Sequence, residues 1–266
     1  RLQESLRPIS RCAMTTVVAP MGYGKTTAVE WYLAERAGAE APYIVRISVY
    51  SSNLAIFWKS VQDAFARAGF AFLREYDCPT DGASGGLLID DLCHALTGEK
   101  SCYIFIDDFH LLTDKRAPGF LCALAGRLPP NVHLILASRD LFLPAAELVR
   151  LGGKVYQIGT AQLRLNHTEL AVYTKRCGTA LSDEQIDTLL YYSEGWFSAV
   201  YLNLRMFSEH GVLPDPNSDI SSIFTAAMID PLPEKQREFL AVMGLADEFT
   251  VEMAQFVMAD AHAEDL

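Results

Sequence analysis

Basic residues are scarce in this chain. Only 22 Lys and Arg stand against 33 Asp and Glu, a formal charge of −11, and an acidic body of that kind repels a nucleic-acid backbone. Direct DNA binding is therefore not expected of it. No apolar run reaches the roughly 18 to 20 residues that span a bilayer, and Arg1-Leu-Gln-Glu-Ser5 lacks the sections of a secretory signal. The expectation is a cytoplasmic protein with no membrane partner. The six cysteines, Cys12, Cys78, Cys93, Cys102, Cys122 and Cys177, form no C-x-x-C pair and have no His at ligand spacing, which argues against a zinc site or a redox motif. Internal repeats and low-complexity tracts are missing as well. The opening on Arg1 without Met and the end at Asp265-Leu266 make a fragment of a longer chain the expectation.

What is present suits a folded body. Of 266 residues, half are hydrophobic and 21% charged, a balance that buries a sizeable core and excludes disorder. Short apolar, β-branched runs alternate with helical patterns in the first half, the mark of a parallel sheet covered on both faces. Strands are predicted at about 14–19, 43–48, 102–107, 132–137 and 155–158. Between the second and third, Phe57, Val61, Phe65 and Ala68 fall on one helical stripe.

After about Thr160 the strand signal ends. Asn166-His-Thr-Glu169 and Ser182-Asp-Glu-Gln185 read as capping boxes, Pro233 suits the first turn of a helix carrying Phe239 and Leu240, and Pro214-Asp-Pro-Asn217 reads as a linker. The expected class is α/β, with a P-loop nucleotide-binding domain over 1–160. A smaller all-helical domain over 161–266 follows, the truncated start of a winged-helix or helical lid region.

The chemistry is concentrated where strands end. Ala19-Pro-Met-Gly-Tyr-Gly24-Lys25-Thr26-Thr27 matches the phosphate-binding P-loop except at its first position, where Ala19 replaces glycine. Gly22 and Gly24 let consecutive N–H groups curl toward a phosphate, and the helix that follows adds its positive dipole end. Met21, Gly22, Tyr23, Gly24, Lys25, Thr26 and Thr27 are the candidate contacts to ATP or ADP. Lys25 would reach the β and γ phosphates, and Thr26 would offer its hydroxyl to Mg2+.

The third strand ends Ile104-Phe-Ile-Asp107-Asp108, the Walker B pattern. Two carboxylates at the end of a buried strand are costly without a bound partner, so Asp107 is assigned to the metal and Asp108 to the attacking water. Leu136-Ala-Ser-Arg139 puts a guanidinium at the same edge, placed to fork onto a γ phosphate. His110 has no neighbouring His or Cys and reads as a polar residue packed behind the carboxylates. Trp196, Phe197 and Tyr201 form either an adenine shelf or core; aromatics at such spacing are more often core.

Together with Phe57-Trp58, Ile104 to His110, Leu136-Ala-Ser-Arg139, Glu194-Gly-Trp196 and Leu232-Pro-Glu-Lys-Gln-Arg-Glu-Phe-Leu240, the P-loop resembles the ATPase module of MalT-like LuxR-type transcriptional regulators, members of the STAND class. The resemblance implies a switch: ADP holds an inactive monomer, an inducer sensed by a more C-terminal domain permits exchange for ATP, and the ATP state self-associates. DNA is then bound by a C-terminal helix-turn-helix outside this stretch. It also implies that Arg1, just before the first helix, contacts the nucleotide. Many relatives have Gly-Trp-Pro where this chain has Gly195-Trp196-Phe197, and an acidic stretch where it has Val49-Tyr-Ser-Ser-Asn53. The competing classes are a P-loop metabolic kinase or GTPase and an AAA+ motor subunit. The absence of Asn-Lys-x-Asp and of an arginine-rich lid counts against the GTPase and the nucleotide kinase.

Overall fold

The computed structural model describes residues 2–211, 213, 225, 229–230, 232–244 and 249–260. Arg1 and the Pro214 to Asn217 segment lie outside the described residues. The chain divides into two compact units, Arg1–Arg164 and Leu165–Leu266. Among the described residues no helix is long and apolar enough to cross a membrane.

In the first unit, a short helix α1 (Leu2–Leu6) precedes β1 (Met14–Val18), α2 (Lys25–Glu40), β2 (Tyr43–Ser48), α3 (Leu54–Arg67) and α4 (Gly82–Leu96). β3 (Cys102–Asp107), α5 (Arg116–Arg127), β4 (Val132–Ser138), α6 (Ala145–Leu151), β5 (Val155–Ile158) and α7 (Thr160–Leu163) follow. The five strands form one parallel sheet in the order β2-β3-β4-β1-β5. All residues of β3 and β4 are buried, and apart from Asp107, His133 and Ser138 they are apolar. The edge strands β2 and β5 mix buried and exposed positions, as expected where one side of a strand is open.

Each central strand feeds two cores by strict alternation. Ile104, Ile106, Leu134 and Leu136 pack with α3, α4 and α5, whereas Tyr103, Phe105, Ile135 and Ala137 pack with Val29, Tyr32 and Leu33 of α2 and Leu6 of α1. The predicted stripe lies where expected: Val61 and Phe65 are buried in the first of these cores, with Phe57 and Ala68 against its edge. Asn53 starts α3 by accepting from the N–H groups of Ala55 and Ile56, and Asp81 starts α4 through a capping box with Ser84. Leu163 of α7 belongs to the α2-side core, so the sheet unit runs to Arg164.

The second unit is helical in its described residues. Helices α8 (His167–Arg176), α9 (Asp183–Ser193) and α10 (Phe197–His210) bury Leu170, Ile186, Leu189, Val200 and Leu204 in a common core. Both expected capping boxes form. The Asn166 side chain accepts from the Glu169 N–H at 2.8 Å, and the Ser182 hydroxyl from the Gln185 N–H at 3.2 Å. Pro233 stands one residue before its helix, as N-cap of α11 (Glu234–Met243), and α12 (Val251–Met258) packs on α11 through Met243 and Ala254.

Candidate functional site

The parallel topology gathers the singled-out residues at one edge of the sheet. β1 pairs with β4 so that Val18 lies opposite Ser138, and β3 lies on the other side of β4. The loop after β1, the carboxylates ending β3 and Arg139 after β4 therefore emerge side by side at the carboxyl ends of the strands, where open α/β sheets take their ligands.

The loop has the backbone its glycines permit. Gly22 and Gly24 are left-handed, at φ 81° and 70°, and Gly24 is the N-cap of α2. Ala19 is tolerated at the first motif position because its φ is not positive, and its N–H donates to the Ser138 carbonyl at 3.3 Å. Lys25 is 8% exposed, and its Nζ donates to the carbonyls of Ala19 and Pro20 at 2.8 and 3.0 Å. Burial lowers its pKa and nearby Arg139 lowers it further, while Asp108 and Asp107 act in the opposite direction. Among the described residues no carboxylate lies within ion-pairing distance of Lys25 or Arg139.

The other predicted loop residues divide by exposure. Met21 and Thr27 face solvent, whereas Tyr23 packs at the margin of the α2-side core. Thr26 faces the Asp107 carboxyl and opposes the rise in pKa that burial imposes on it. Asp107 is 9% exposed. Asp108 takes a left-handed conformation, φ 52° and ψ 38°, and its side chain is 48% exposed. A non-glycine residue in that region costs energy and points to a functional constraint.

Arg139 is exposed and stands on a turn fixed by Ser138, whose hydroxyl donates to the Asp140 carbonyl at 2.8 Å. His110 lies behind the carboxylates with both ring nitrogens buried and without a hydrogen-bond partner among the described residues, 3.9 Å from Asp108, too far for a hydrogen bond. Burial, then Arg139, lower its pKa. In the helical unit, Phe197 packs against Tyr173 with centroids 5.1 Å apart, and Tyr201 is exposed.

Sequence reasoning missed a cleft of about 510 Å³ beside the loop, lined by Thr16, Ala19, Arg139, Gln157 and Thr160 among others. The buried Thr16 hydroxyl in it has no hydrogen-bond partner among the described residues. A threonine inside a strand carries no sequence signal of such a role.

A metal fits only in company. Among the described residues no group of three or more His, Cys, Asp or Glu would hold one, but the Thr26 hydroxyl and Asp107 carboxyl converge. One carboxylate and a hydroxyl suit Mg2+, which keeps several waters and takes the rest of its shell from phosphates.

Sheet order, loop and carboxylate pair define the fold of a P-loop NTPase. A Walker-type ATPase of Pyrococcus abyssi superposes with a TM-score of 0.50 at 12% identity, covering 85% of this chain and 68% of that one. The Aeropyrum pernix ORC1 protein, solved in complex with DNA, also gives 0.50, at 16% identity over 93% of this chain and 71% of its own.

More particularly, the chain is a distant homologue of the HTH-type transcriptional regulator MalT. It is 21% identical over 257 residues to that of Vibrio campbellii, covering 88% of this chain and 27% of the relative. With MalT of Yersinia pestis it shares 23% identity over 204 residues, 76% of this chain and 23% of the relative. The chain thus spans about a quarter of the length of these relatives. No protein-family model matches it.

Proposed function

We propose that this chain is the nucleotide-gated ATPase module of a LuxR-type transcriptional regulator, inactive with ADP and active with ATP. One observation carries the reading: among the described residues the buried Lys25 ammonium is held by loop carbonyls, beside Arg139 and without a carboxylate in ion-pairing distance. A cation at the N-terminus of a helix, next to left-handed glycines and with a second cation from the loop after β4, favours a polyphosphate.

Lys25 would exchange the Ala19 and Pro20 carbonyls for β- and γ-phosphate oxygens, while the N–H groups of residues 22–26 line the same phosphates. Thr26 and Asp107 would hold Mg2+, which when bound neutralises charge on the β and γ oxygens. Asp108 is turned outward and only half-buried; it would orient the attacking water. Arg139 would meet charge developing on the γ phosphate. Arg1 is assigned a nucleotide contact by family resemblance alone.

The distant likeness to MalT supports the regulatory half of the proposal. On that reading the inducer and DNA are bound by other parts of the regulator, and the ATP state self-associates. The test is the nucleotide that co-purifies, released by denaturing the protein and separated by chromatography. ADP is expected. GDP, or no nucleotide together with no saturable binding of a fluorescent ADP analogue, would reject the proposal.

A further inference from the structure

On the sheet face opposite α2, beneath α3, α4 and α5, lies a cavity of about 400 Å³. That volume is in the range of small-molecule sites. Its floor is Ile104, Ile106 and Leu134, and Phe57, Leu88 and Phe120 stand in its walls.

The helices over it leave room that folding did not require. Three of the first five residues of α4 are glycine (Gly82, Gly85, Gly86), and Gly119 sits in α5; all four line the cavity. Glycine within a helix costs about 1 kcal/mol relative to alanine. A Cβ at Gly82, Gly86 or Gly119 would meet nothing within 4 Å, and none of the three has a positive φ. Gly82 and Gly119 are exposed at the mouth of the cavity and Gly86 is half-buried in its wall, so neither close packing nor backbone conformation calls for glycine at these lining positions.

The charged groups at the rim are already engaged. Arg116 pairs with Asp114 at 2.7 Å and Arg127 with Asp90 at 2.9 Å, and the Trp58 indole N–H donates to the Tyr76 carbonyl at 3.0 Å. The Asp81 carboxylate, also in the lining, accepts from the N–H groups of Ala83 and Ser84, so each charged side chain among the described residues of the lining already has a partner within the protein.

We propose that this cavity binds a neutral, predominantly apolar small molecule with a ring-containing or branched hydrocarbon body, at a site separate from the phosphate loop. Ile106 and Phe109 line the cavity and flank Asp107 and Asp108 in the chain. Phe109 also packs on Phe142, three residues past Arg139, with centroids 4.6 Å apart. An occupant therefore presses on the segments that carry the candidate hydrolytic groups. Binding itself does not depend on the nucleotide reading.

The test uses N-phenylnaphthylamine, a neutral probe that brightens on leaving water, titrated into the nucleotide-free protein. Saturable binding at one site per chain is expected. Gly86→Leu and, separately, Gly119→Leu place a side chain in the open space and improve helix propensity, so both should fold, as checked by circular dichroism and thermal melting. Each should weaken the probe by about tenfold or more, equivalent to about 1.4 kcal/mol. No saturable binding by the wild type, or undiminished binding by both folded variants, would overturn the proposal. Tighter binding of the anionic analogue anilinonaphthalene sulfonate than of the neutral probe would overturn the assignment of a neutral ligand.

Discussion

The backbone N–H of Asp108 donates to the side chain of Asp107 at 3.0 Å, and the left-handed turn at Asp108 sends two adjacent carboxylates into opposite surroundings. Asp107 is buried against Thr26; Asp108 is half-exposed beside His110. If the first serves the metal and the second the water, their neutral variants should separate. Asp107→Asn should weaken Mg2+-dependent nucleotide binding, while Asp108→Asn, which tolerates the same backbone, should bind nearly as wild type and lose hydrolysis. Titration with a fluorescent ATP analogue with and without Mg2+, alongside phosphate release, measures both. Equal loss of binding in the two variants would contradict the division of roles.

Strain at Asp108 gives a second prediction. The left-handed region costs a non-glycine residue on the order of 1 kcal/mol, so Asp108→Gly should raise the unfolding free energy of the nucleotide-free protein by about that amount while abolishing turnover. Urea unfolding followed by circular dichroism reads the first effect. A destabilised Asp108→Gly would mean that the turn is held by contacts of the carboxylate.

For Lys25→Ala the expected loss is one charge-assisted contact, about 1.5 to 3 kcal/mol, or roughly tenfold to over a hundredfold in nucleotide affinity. Fluorescence titration with an ADP analogue checks it. Equal dissociation constants for mutant and wild type would remove the loop from the site.

Burial raises the pKa of Asp107, and the sign of the linkage follows. A carboxyl group with a folded-state pKa above its unfolded value, about 3.9, favours the folded state below that unfolded value. Its contribution is lost as pH rises through the folded pKa. At neutral pH the ionised Asp107 is therefore a burden on the metal-free protein. Asp107→Asn should be more stable than wild type at pH 7, with the gain shrinking as the wild-type Asp107 carboxylate is protonated in acid. Melting curves across that range decide it, and a variant less stable at pH 7 would show that the Thr26 contact outweighs desolvation.

Much of this site was legible because the physics that builds it is local. A strand buried on both faces must be largely apolar, so Cys102–Ile106 and Leu134–Ala137 stand out as apolar runs within β3 and β4. Gly22 and Gly24 stand where the backbone needs positive φ, and Asn166 and Ser182 cap helices within reach of their own side chains. Part of what escaped depends on residues distant in the chain. The glycines opening α4 resemble a turn until Asp81 caps them, and the cavity they border exists only once α3, α4 and α5 are laid on the sheet. The carbonyl cradle of Lys25 and the left-handed Asp108 leave no mark in composition or spacing.

The final prediction concerns DNA. A protein that shares this fold, Aeropyrum pernix ORC1, was solved in complex with DNA, but the fold does not supply the charge such binding needs. With −11 overall, approach to phosphates is opposed. The adjacent basic pair of the helical unit, Lys175-Arg176, falls in the last turn of α8, where cations complement the helix dipole without any ligand. The chain should therefore give no saturable binding to mixed duplex DNA in an anisotropy titration at about 0.15 M salt, with or without ATP. Sequence-specific binding by these residues alone would refute the assignment of DNA recognition to another part of the regulator.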